Sequence, residues 1–98
     1  MEQPAIDKKK LVELSKKNDF SYLGLFGSFA RGEATRRSDI DLLVHFSKRK
    51  SLLEVVRMER EFTESLGRPV ELLTESSISP FLIDRIKAEV QVIYEKKG

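Results

Sequence analysis

Two aspartates stand one residue apart, Asp39 and Asp41, at the start of the apolar run IDLLVHF. Because Ile40 and Leu42 alternate with them, a β-strand here would place the two carboxylates together on the face opposite the apolar residues. A carboxylate beside a buried strand costs free energy unless a cation, a hydrogen-bond network or water pairs it. A third acid, Glu71, interrupts a second apolar run, VELL, in the same way.

Three carboxylates on one face would repel one another and raise each other's pKa, and a divalent cation removes that conflict. Mg²⁺ is usually held by one or two protein carboxylates, and water and substrate phosphates complete its coordination. Two such ions about 4 Å apart can hold both the attacking and the leaving oxygen of a phosphoryl displacement. We therefore predict that Asp39, Asp41 and Glu71 are catalytic metal ligands for Mg²⁺, two ions in all. The chemistry would be phosphoryl or nucleotidyl transfer, in which Glu71 helps to activate the attacking group.

An anion-binding turn is predicted just before these acids. Gly27 ends an apolar run, and a glycine at a strand end lets backbone N–H groups approach a polyphosphate closely. A short helical turn starting at Ser28 would point its positive end at the same anion, and the Ser28 hydroxyl would add a donor. Arg31 lies one turn further on, and Arg36 or Arg37 follows on the next loop, where a guanidinium can bind phosphate oxygens in pairs.

Several candidate site residues also have a purely structural interpretation. Arg31 can pair with Glu33, and Ser38 can form a turn as readily as it can contact a phosphate. Glu71 can be a salt-bridged residue on an edge strand. His45 shares the parity of the two aspartates, but it lies too far along the strand to reach them and is expected at the rim of the site.

The elements that carry these residues follow from periodicity and capping signals. Ser51 with Glu54 forms a capping box for one helix, and Ser79 followed by Pro80 begins another. In chain order the prediction is a helix over 7–18, a strand over 21–27, a helical turn and polar loop over 28–37, a strand over 40–46, a helix over 52–66, a strand over 70–74, a helix over 80–88 and a short edge strand over 90–94. The helix over 52–66 is expected to face the core through Leu52, Val55, Val56, Phe62 and Leu66. The helix over 80–88 is expected to face it through Leu82, Ile83 and Ile86.

The fold class predicted from this order is α/β (α+β), with a mixed β-sheet and helices packed on one face. The chain has 98 residues, enough for a single domain over 1–98 with one core. The other face of the central strands is left for the three acids.

Composition excludes several kinds of site. The chain has no cysteine and one histidine, which removes disulfides and thiolate chemistry and leaves oxygen ligands as the ones expected for a metal. No apolar run has the length of a membrane span and no signal peptide is recognisable, so we predict no membrane partner and a cytoplasmic location. The net charge is only +2, although basic residues cluster between Gly27 and Lys50. We do not expect nucleic acid as a stable partner, and salt-sensitive RNA binding would test that alternative.

The string GSFARGEATRRSDIDLLV resembles the signature of the DNA polymerase beta-like nucleotidyltransferase superfamily, in which Gly-Ser is followed by Asp-x-Asp. It looks most like the minimal nucleotidyltransferase branch, so the polymerase beta-like nucleotidyltransferase fold is expected. The resemblance implies that Gly27 and Ser28 bind the triphosphate, that Asp39 and Asp41 bind both metal ions, and that the acid of VELL is the third ligand. That acid is commonly Asp in the family and is Glu71 here.

The resemblance also implies a partner. Minimal nucleotidyltransferases commonly pair with helical HEPN proteins as antitoxin and toxin, and some transfer AMP from ATP to a tyrosine of the HEPN ribonuclease and silence it. We therefore expect an enzyme that transfers a nucleoside monophosphate from ATP, or from another nucleoside triphosphate, to a hydroxyl of such a partner. Two alternatives stay open: a non-catalytic antitoxin that acts by contact, and a nucleotidyltransferase acting on a small molecule or an RNA end. A homo-oligomer or a hetero-oligomer is compatible with either.

Overall fold

The computed structural model describes residues 3–97 and has the predicted order of main elements. These are α1 Lys8–Lys17, β1 Phe20–Phe26, β2 Ile40–Phe46, α2 Leu52–Leu66, β3 Val70–Leu73, a 3₁₀ turn Glu75–Ser77 that was not predicted, α3 Pro80–Glu89 and β4 Gln91–Glu95. Residues 1, 2 and 98 of the predicted 1–98 domain lie outside the described part of the chain.

The four strands form one mixed sheet in the order β3-β2-β1-β4. β1 runs antiparallel to both β2 and β4, whereas β2 and β3 are parallel. The C-terminal end of β1 therefore meets the N-terminal ends of β2 and β3 at one end of the sheet. β4 pairs only with β1, as expected of an edge strand.

The helix boundaries follow the capping signals in the sequence. Glu54 N–H donates to the Ser51 hydroxyl at 3.2 Å, and Ser51 N–H donates to the Glu54 carboxylate at 2.7 Å, which completes the predicted capping box. Gly67 ends α2 with φ +71°, a conformation that glycine adopts without a Cβ penalty. Ser79 caps α3, and Pro80 is its first residue.

Helices α1 and α2 cover one face of the sheet. Leu11 and Leu14 of α1 and Met58 and Phe62 of α2 pack against the apolar face of the strands. The predicted alternation along β2 is confirmed, since Ile40, Leu42 and Val44 are all buried on this face. This layer is the main core.

The third helix packs on the other face. Ile83 and Ile86 of α3 contact a smaller cluster of Phe26, Leu43 and Ile78. The prediction that all helices pack on one face is therefore wrong for α3, which shares its face with Asp41. The reason is that Leu43, at the same parity as Asp41, is itself apolar and 2% exposed, so this face needs a cover.

Three helix positions predicted as core are exposed. Leu52 is 81% exposed and Val56 51% exposed. The buried stripe of α2 is formed by residues 55, 58, 62 and 66, and Val56 lies about 100° around the helix from Val55. Leu52 lies on the stripe by spacing but in the first turn. Leu82 is 48% exposed and lines the pocket described below.

Side chains of α2 fix the outer edge of β3, the strand that carries Glu71. Leu72 N–H donates to the Glu59 carboxylate at 2.8 Å, and Val70 N–H donates to the Thr63 hydroxyl at 3.1 Å. Amides that an edge strand would leave open are thus paired with a helix.

No helix in the range 3–97 combines the length and the apolar character needed to cross a bilayer.

Candidate active site

The predicted site residues meet at the end of the sheet where three strands come together. Asp41 is the second residue of β2, and it pairs in register with Phe26 of β1 on one side and with Glu71 of β3 on the other. Gly27 directly follows Phe26. The backbone pairing of β1, β2 and β3 therefore sets the phosphate-binding turn, one aspartate and the glutamate side by side.

Asp41 is the most perturbed acid of this group. Burial raises the pKa of the Asp41 carboxyl to about 6, and the negative charges of Glu71 and then Asp39 add to the rise, while Arg31 opposes it. The Glu71 carboxyl is close enough to share a proton with Asp41. A carboxylate with a perturbed pKa in a cleft is typical of functional sites.

The acids do not form a preassembled three-ligand cage. Among residues 3–97, no three Asp, Glu or His side chains are arranged to hold one metal ion. Asp39 is exposed and lies just before β2, where it acts on Asp41 through its charge. The donor chemistry nevertheless fits a hard divalent cation. One or two carboxylates are enough for Mg²⁺, and the like charges that raise the Asp41 pKa are relieved by a cation.

The turn after β1 brings its backbone against Asp41. Gly27 has φ +75°, and a Cβ placed there would collide with a carboxylate oxygen of Asp41 and lie 3.2 Å from its Cγ. Arg31 N–H donates to the Gly27 carbonyl at 3.1 Å, and Glu33 N–H donates to the Ser28 carbonyl at 2.9 Å. These bonds close consecutive turns over 27–32 without building a helix. The short helical turn predicted at Ser28 is present only as these turns and does not form a helix, since Gly32, with φ +73°, ends any helical path.

Arg31 is held between two glutamates. Its Nε donates to Glu33 at 3.0 Å, and its Nη1 contacts both carboxylate oxygens of Glu89, at 3.3 and 3.2 Å. The same Glu89 carboxylate accepts a hydrogen bond of 3.3 Å from Gly27 N–H. The predicted pairing of Arg31 with Glu33 is present, and Glu89 is an additional partner at the end of α3.

An open pocket of about 720 Å³ lies over this turn, within the volume range of ligand pockets. It is lined by Phe26, Gly27, Ser28, Arg31, Glu33, Asp41, Leu82, Arg85, Ile86 and Glu89. Asp39 and Glu71 are not among the lining residues, so of the three predicted metal ligands Asp41 is the one that lines the pocket.

The loop that leads to Asp39 is held by an arginine that the sequence analysis did not single out. Arg68 Nη1 donates to the carbonyls of Thr35, Arg36 and Ser38 at 3.0 to 3.1 Å. The Ser38 hydroxyl accepts from Thr35 N–H at 2.8 Å, which is the turn-forming alternative for that residue. Arg36, Arg37 and Arg68 line a separate pocket beside this loop.

The sequence pattern of the family described as "Polymerase beta, Nucleotidyltransferase" matches residues 9–98. The chain belongs to this nucleotidyltransferase family.

Similar proteins match the nucleotidyltransferase over most of its length. A candidate protein adenylyltransferase of Methanocaldococcus jannaschii is 45% identical over 82 residues, covering 84% of this chain and 88% of that protein. A chain in a crystal structure of a toxin–antitoxin complex with AMP-PNP has a TM-score of 0.82 at 21% identity, covering 94% of this chain and 76% of that chain. Another is in a complex of the tri-AMPylated Shewanella oneidensis HEPN toxin with an MNT antitoxin. Its TM-score is 0.71 at 19% identity, with 91% of this chain and 70% of that chain covered.

The sheet order and the β1–turn–β2 connection of the nucleotidyltransferase account for which predicted residues come together. Gly27, Ser28, Arg31 and Asp41 share one pocket, and Glu71 lies beside Asp41 on β3. His45 is outside this pocket. It stacks on Tyr22 with 4.8 Å between ring centroids, and its Nε2 lies 3.8 Å from Glu75, in agreement with the rim position predicted for it.

The residues of the nucleotidyltransferase site that sequence reasoning missed are Glu89 and Arg68. Neither lies in the Gly-Ser to Asp-x-Asp string, because each reaches the site from a distant element. An acid in the last turn of a helix is unfavourable with the helix dipole, and this was the one local signal that Glu89 has a partner elsewhere.

Proposed function

We propose that this nucleotidyltransferase is a protein adenylyltransferase that transfers AMP from ATP to a hydroxyl group, a tyrosine, of a HEPN toxin, acting as its antitoxin. We infer that a single minimal domain over 1–98 carries this activity. The 45% identical relative supports the adenylyl group, and the AMPylated toxin in the structurally similar complex supports the acceptor.

The observation that carries the proposal is the register across β1, β2 and β3. It sets a glycine turn and a carboxylate with a raised pKa at one pocket, with a second carboxylate beside them on β3. A polyphosphate needs amide and guanidinium donors, and carboxylates beside it can hold the divalent cations that neutralise charge at the reacting phosphate. The strand register places the phosphate-binding donors and Asp41 in the pocket wall and Glu71 beside it.

In this proposal the Gly27 turn binds the polyphosphate. The Gly27 amide, the Ser28 hydroxyl and the Arg31 guanidinium are donors that line the pocket. Their placement before the substrate arrives reduces the ordering cost of binding. Ser38 contributes by shaping the loop before Asp39.

Divalent metal ions are general in this family, and Asp39, Asp41 and Glu71 are the residues that would hold Mg²⁺ here. When bound, the ions would neutralise charge on the phosphates and on the leaving oxygen. Glu71 lies on the open edge of the site, where it is exposed and accessible to an incoming hydroxyl.

The transfer balances with ATP and the hydroxyl alone. The tyrosine oxygen forms a bond to the α-phosphorus, the bond from that phosphorus to the bridging oxygen breaks, and pyrophosphate leaves. The hydroxyl proton passes to the Glu71 carboxylate and then to solvent. The partner itself has to hold the acceptor tyrosine in place, since the three helices of the described chain pack against the two faces of the sheet.

Label transfer tests the proposal. The chain is incubated with α-labelled ATP, Mg²⁺ and the protein encoded by the adjacent reading frame, and label is expected on a tyrosine of that protein. Asp39→Asn with Asp41→Asn should reduce the transfer by at least a hundredfold, because both acids lose their charge. Glu64→Gln, an exposed change on α2, is the matched control and should transfer normally.

Three results would contradict the proposal. Absence of label on the partner, or unchanged transfer by the double variant, removes the catalytic assignment. Full neutralisation of the toxin by the double variant would instead favour an antitoxin that acts by contact.

A further inference from the structure

The last residue of α3 occupies the donors that the proposed function assigns to the polyphosphate. One carboxylate oxygen of Glu89 accepts from Gly27 N–H at 3.3 Å, and both oxygens contact Arg31 Nη1. The Glu89 side chain is 22% exposed and lines the pocket together with Gly27 and Ser28. Two independent donors of the turn are thus directed at one anion of the chain itself.

A phosphate cannot join Glu89 on these donors. A backbone amide has one hydrogen and makes one strong hydrogen bond, so a phosphate oxygen and a carboxylate oxygen exclude each other at Gly27. Both groups are also anions, and in a partly buried pocket their repulsion is less screened than in water. A triphosphate that takes the Gly27 amide must displace Glu89.

The geometry points to Glu89 as an internal competitor of the triphosphate. Glu89 holds the turn in place before the nucleotide binds, and its displacement sets the affinity for the nucleotide. This inference rests on the proposed function, because it takes the Gly27 turn as the phosphate site. Glu89 keeps Gly27 and Arg31 near the positions that they need, and Gln91 supports the same turn by donating to the Ala30 carbonyl at 3.0 Å. Glu89 is a positioning residue and takes no part in the chemical step.

Glu33 provides an internal comparison. It also pairs with Arg31, through Nε at 3.0 Å, but it does not contact the Gly27 amide and its side chain is 65% exposed. Removing the Glu33 charge frees part of Arg31 and leaves the amide occupied. A competitor at the amide therefore predicts a larger effect at Glu89 than at Glu33.

The test is titration calorimetry with inorganic tripolyphosphate, and separately with adenosine, in the presence of Mg²⁺. Glu89→Gln should bind tripolyphosphate about tenfold more tightly than the natural chain, since charge-assisted bonds no longer have to be broken. Glu33→Gln should tighten binding less, and Glu64→Gln, which removes an equal charge far from the pocket, should leave it unchanged. Adenosine affinity should be equal in all four proteins, because it has no phosphate.

The outcomes separate this inference from the proposed function. Glu89→Gln that binds tripolyphosphate no more tightly than the natural chain, while circular dichroism shows it folded, overturns the inference alone. Glu89→Ala gives a second reading, since it removes the acceptor entirely and should shift affinity in the same direction. If neither the natural chain nor the two Glu89 variants bind tripolyphosphate, the phosphate site itself is wrong and both proposals fall.

Discussion

At the scale of single residues, the site depends on two positions where local conformation and charge are set by the fold. Gly27 must be glycine both for its positive φ and for the closeness of Asp41. Asp41 has a pKa raised to about 6 because it is partly buried among acids. Substitutions at Gly27 and Asp41 therefore have separate effects on AMP transfer and on the free energy of unfolding.

Gly27→Ala should reduce AMP transfer far more than it reduces stability. A non-glycine residue at positive φ costs about 1–2 kcal/mol. Its methyl group would in addition push Asp41 out of place. We expect AMP transfer, measured with labelled ATP, to fall at least a hundredfold. The free energy of unfolding, measured in urea, should decrease only modestly. Gly32→Ala is the matched control: φ there is +73°, but an added Cβ meets nothing within 4 Å. Equal losses of transfer in both variants would refute the argument.

Asp41→Asn should stabilise the fold at neutral pH. A carboxyl with a folded-state pKa above its unfolded value binds more protons when folded, so ionisation lowers the free energy of unfolding as pH rises from about 4 to about 6. The variant should be more stable by on the order of 1–2 kcal/mol at pH 7.5, after allowance for solvent screening. The gain should vanish near pH 4. Urea unfolding at both pH values measures this, with Asp84→Asn on α3 as the control. A variant less stable than the natural chain at pH 7.5 would count against the electrostatic account.

At the scale of elements, the helices and strands with strong local signals were predicted correctly from the sequence. The capping box of Ser51 and Glu54, the terminating Gly67 and the Ser79-Pro80 start gave α2 and α3 correctly, because these signals act within one turn. The short helical turn predicted at Ser28 is found as hydrogen-bonded turns that do not form a helix, since the conformation of Gly32 ends any helical path. Leu52 was assigned to the core by spacing, and spacing does not show where the neighbouring elements end.

The edge of β3 gives a prediction at this scale. Leu72 is 5% exposed, and its N–H is satisfied by the Glu59 carboxylate. Glu59→Ala leaves that amide unpaired and should cost about 1–3 kcal/mol in urea unfolding, because an unpaired buried amide loses its hydration without replacement.

Two variants frame the Glu59 result. Glu59→Gln keeps an acceptor oxygen and should cost less. Glu64→Ala, an exposed acid on the same helix, should stay within about 0.5 kcal/mol of the natural chain. Similar losses for Glu59→Ala and Glu64→Ala would show that the bond to β3 contributes little.

At the scale of the whole molecule, the sheet order makes the site. The sequence predicted Gly27, Ser28, Asp39, Asp41 and Glu71 from residue types and from the family signature. The antiparallel β1–β2 pair and the parallel β2–β3 pair bring Gly27, Asp41 and Glu71 to the same end of the sheet. What could not be predicted was the placement of α3 on this face, and with it Glu89. That contact joins residues 62 positions apart, and no local pattern encodes such a distance.

A crystal structure of the chain with Mn²⁺, in place of Mg²⁺, and a non-hydrolysable ATP analogue tests the central claim most directly. The account predicts anomalous density within bonding distance of the carboxylates of Asp39 and Asp41, with the polyphosphate on the Gly27 turn. Metal and nucleotide bound elsewhere, or an analogue whose phosphates avoid Gly27 and Ser28, would contradict it.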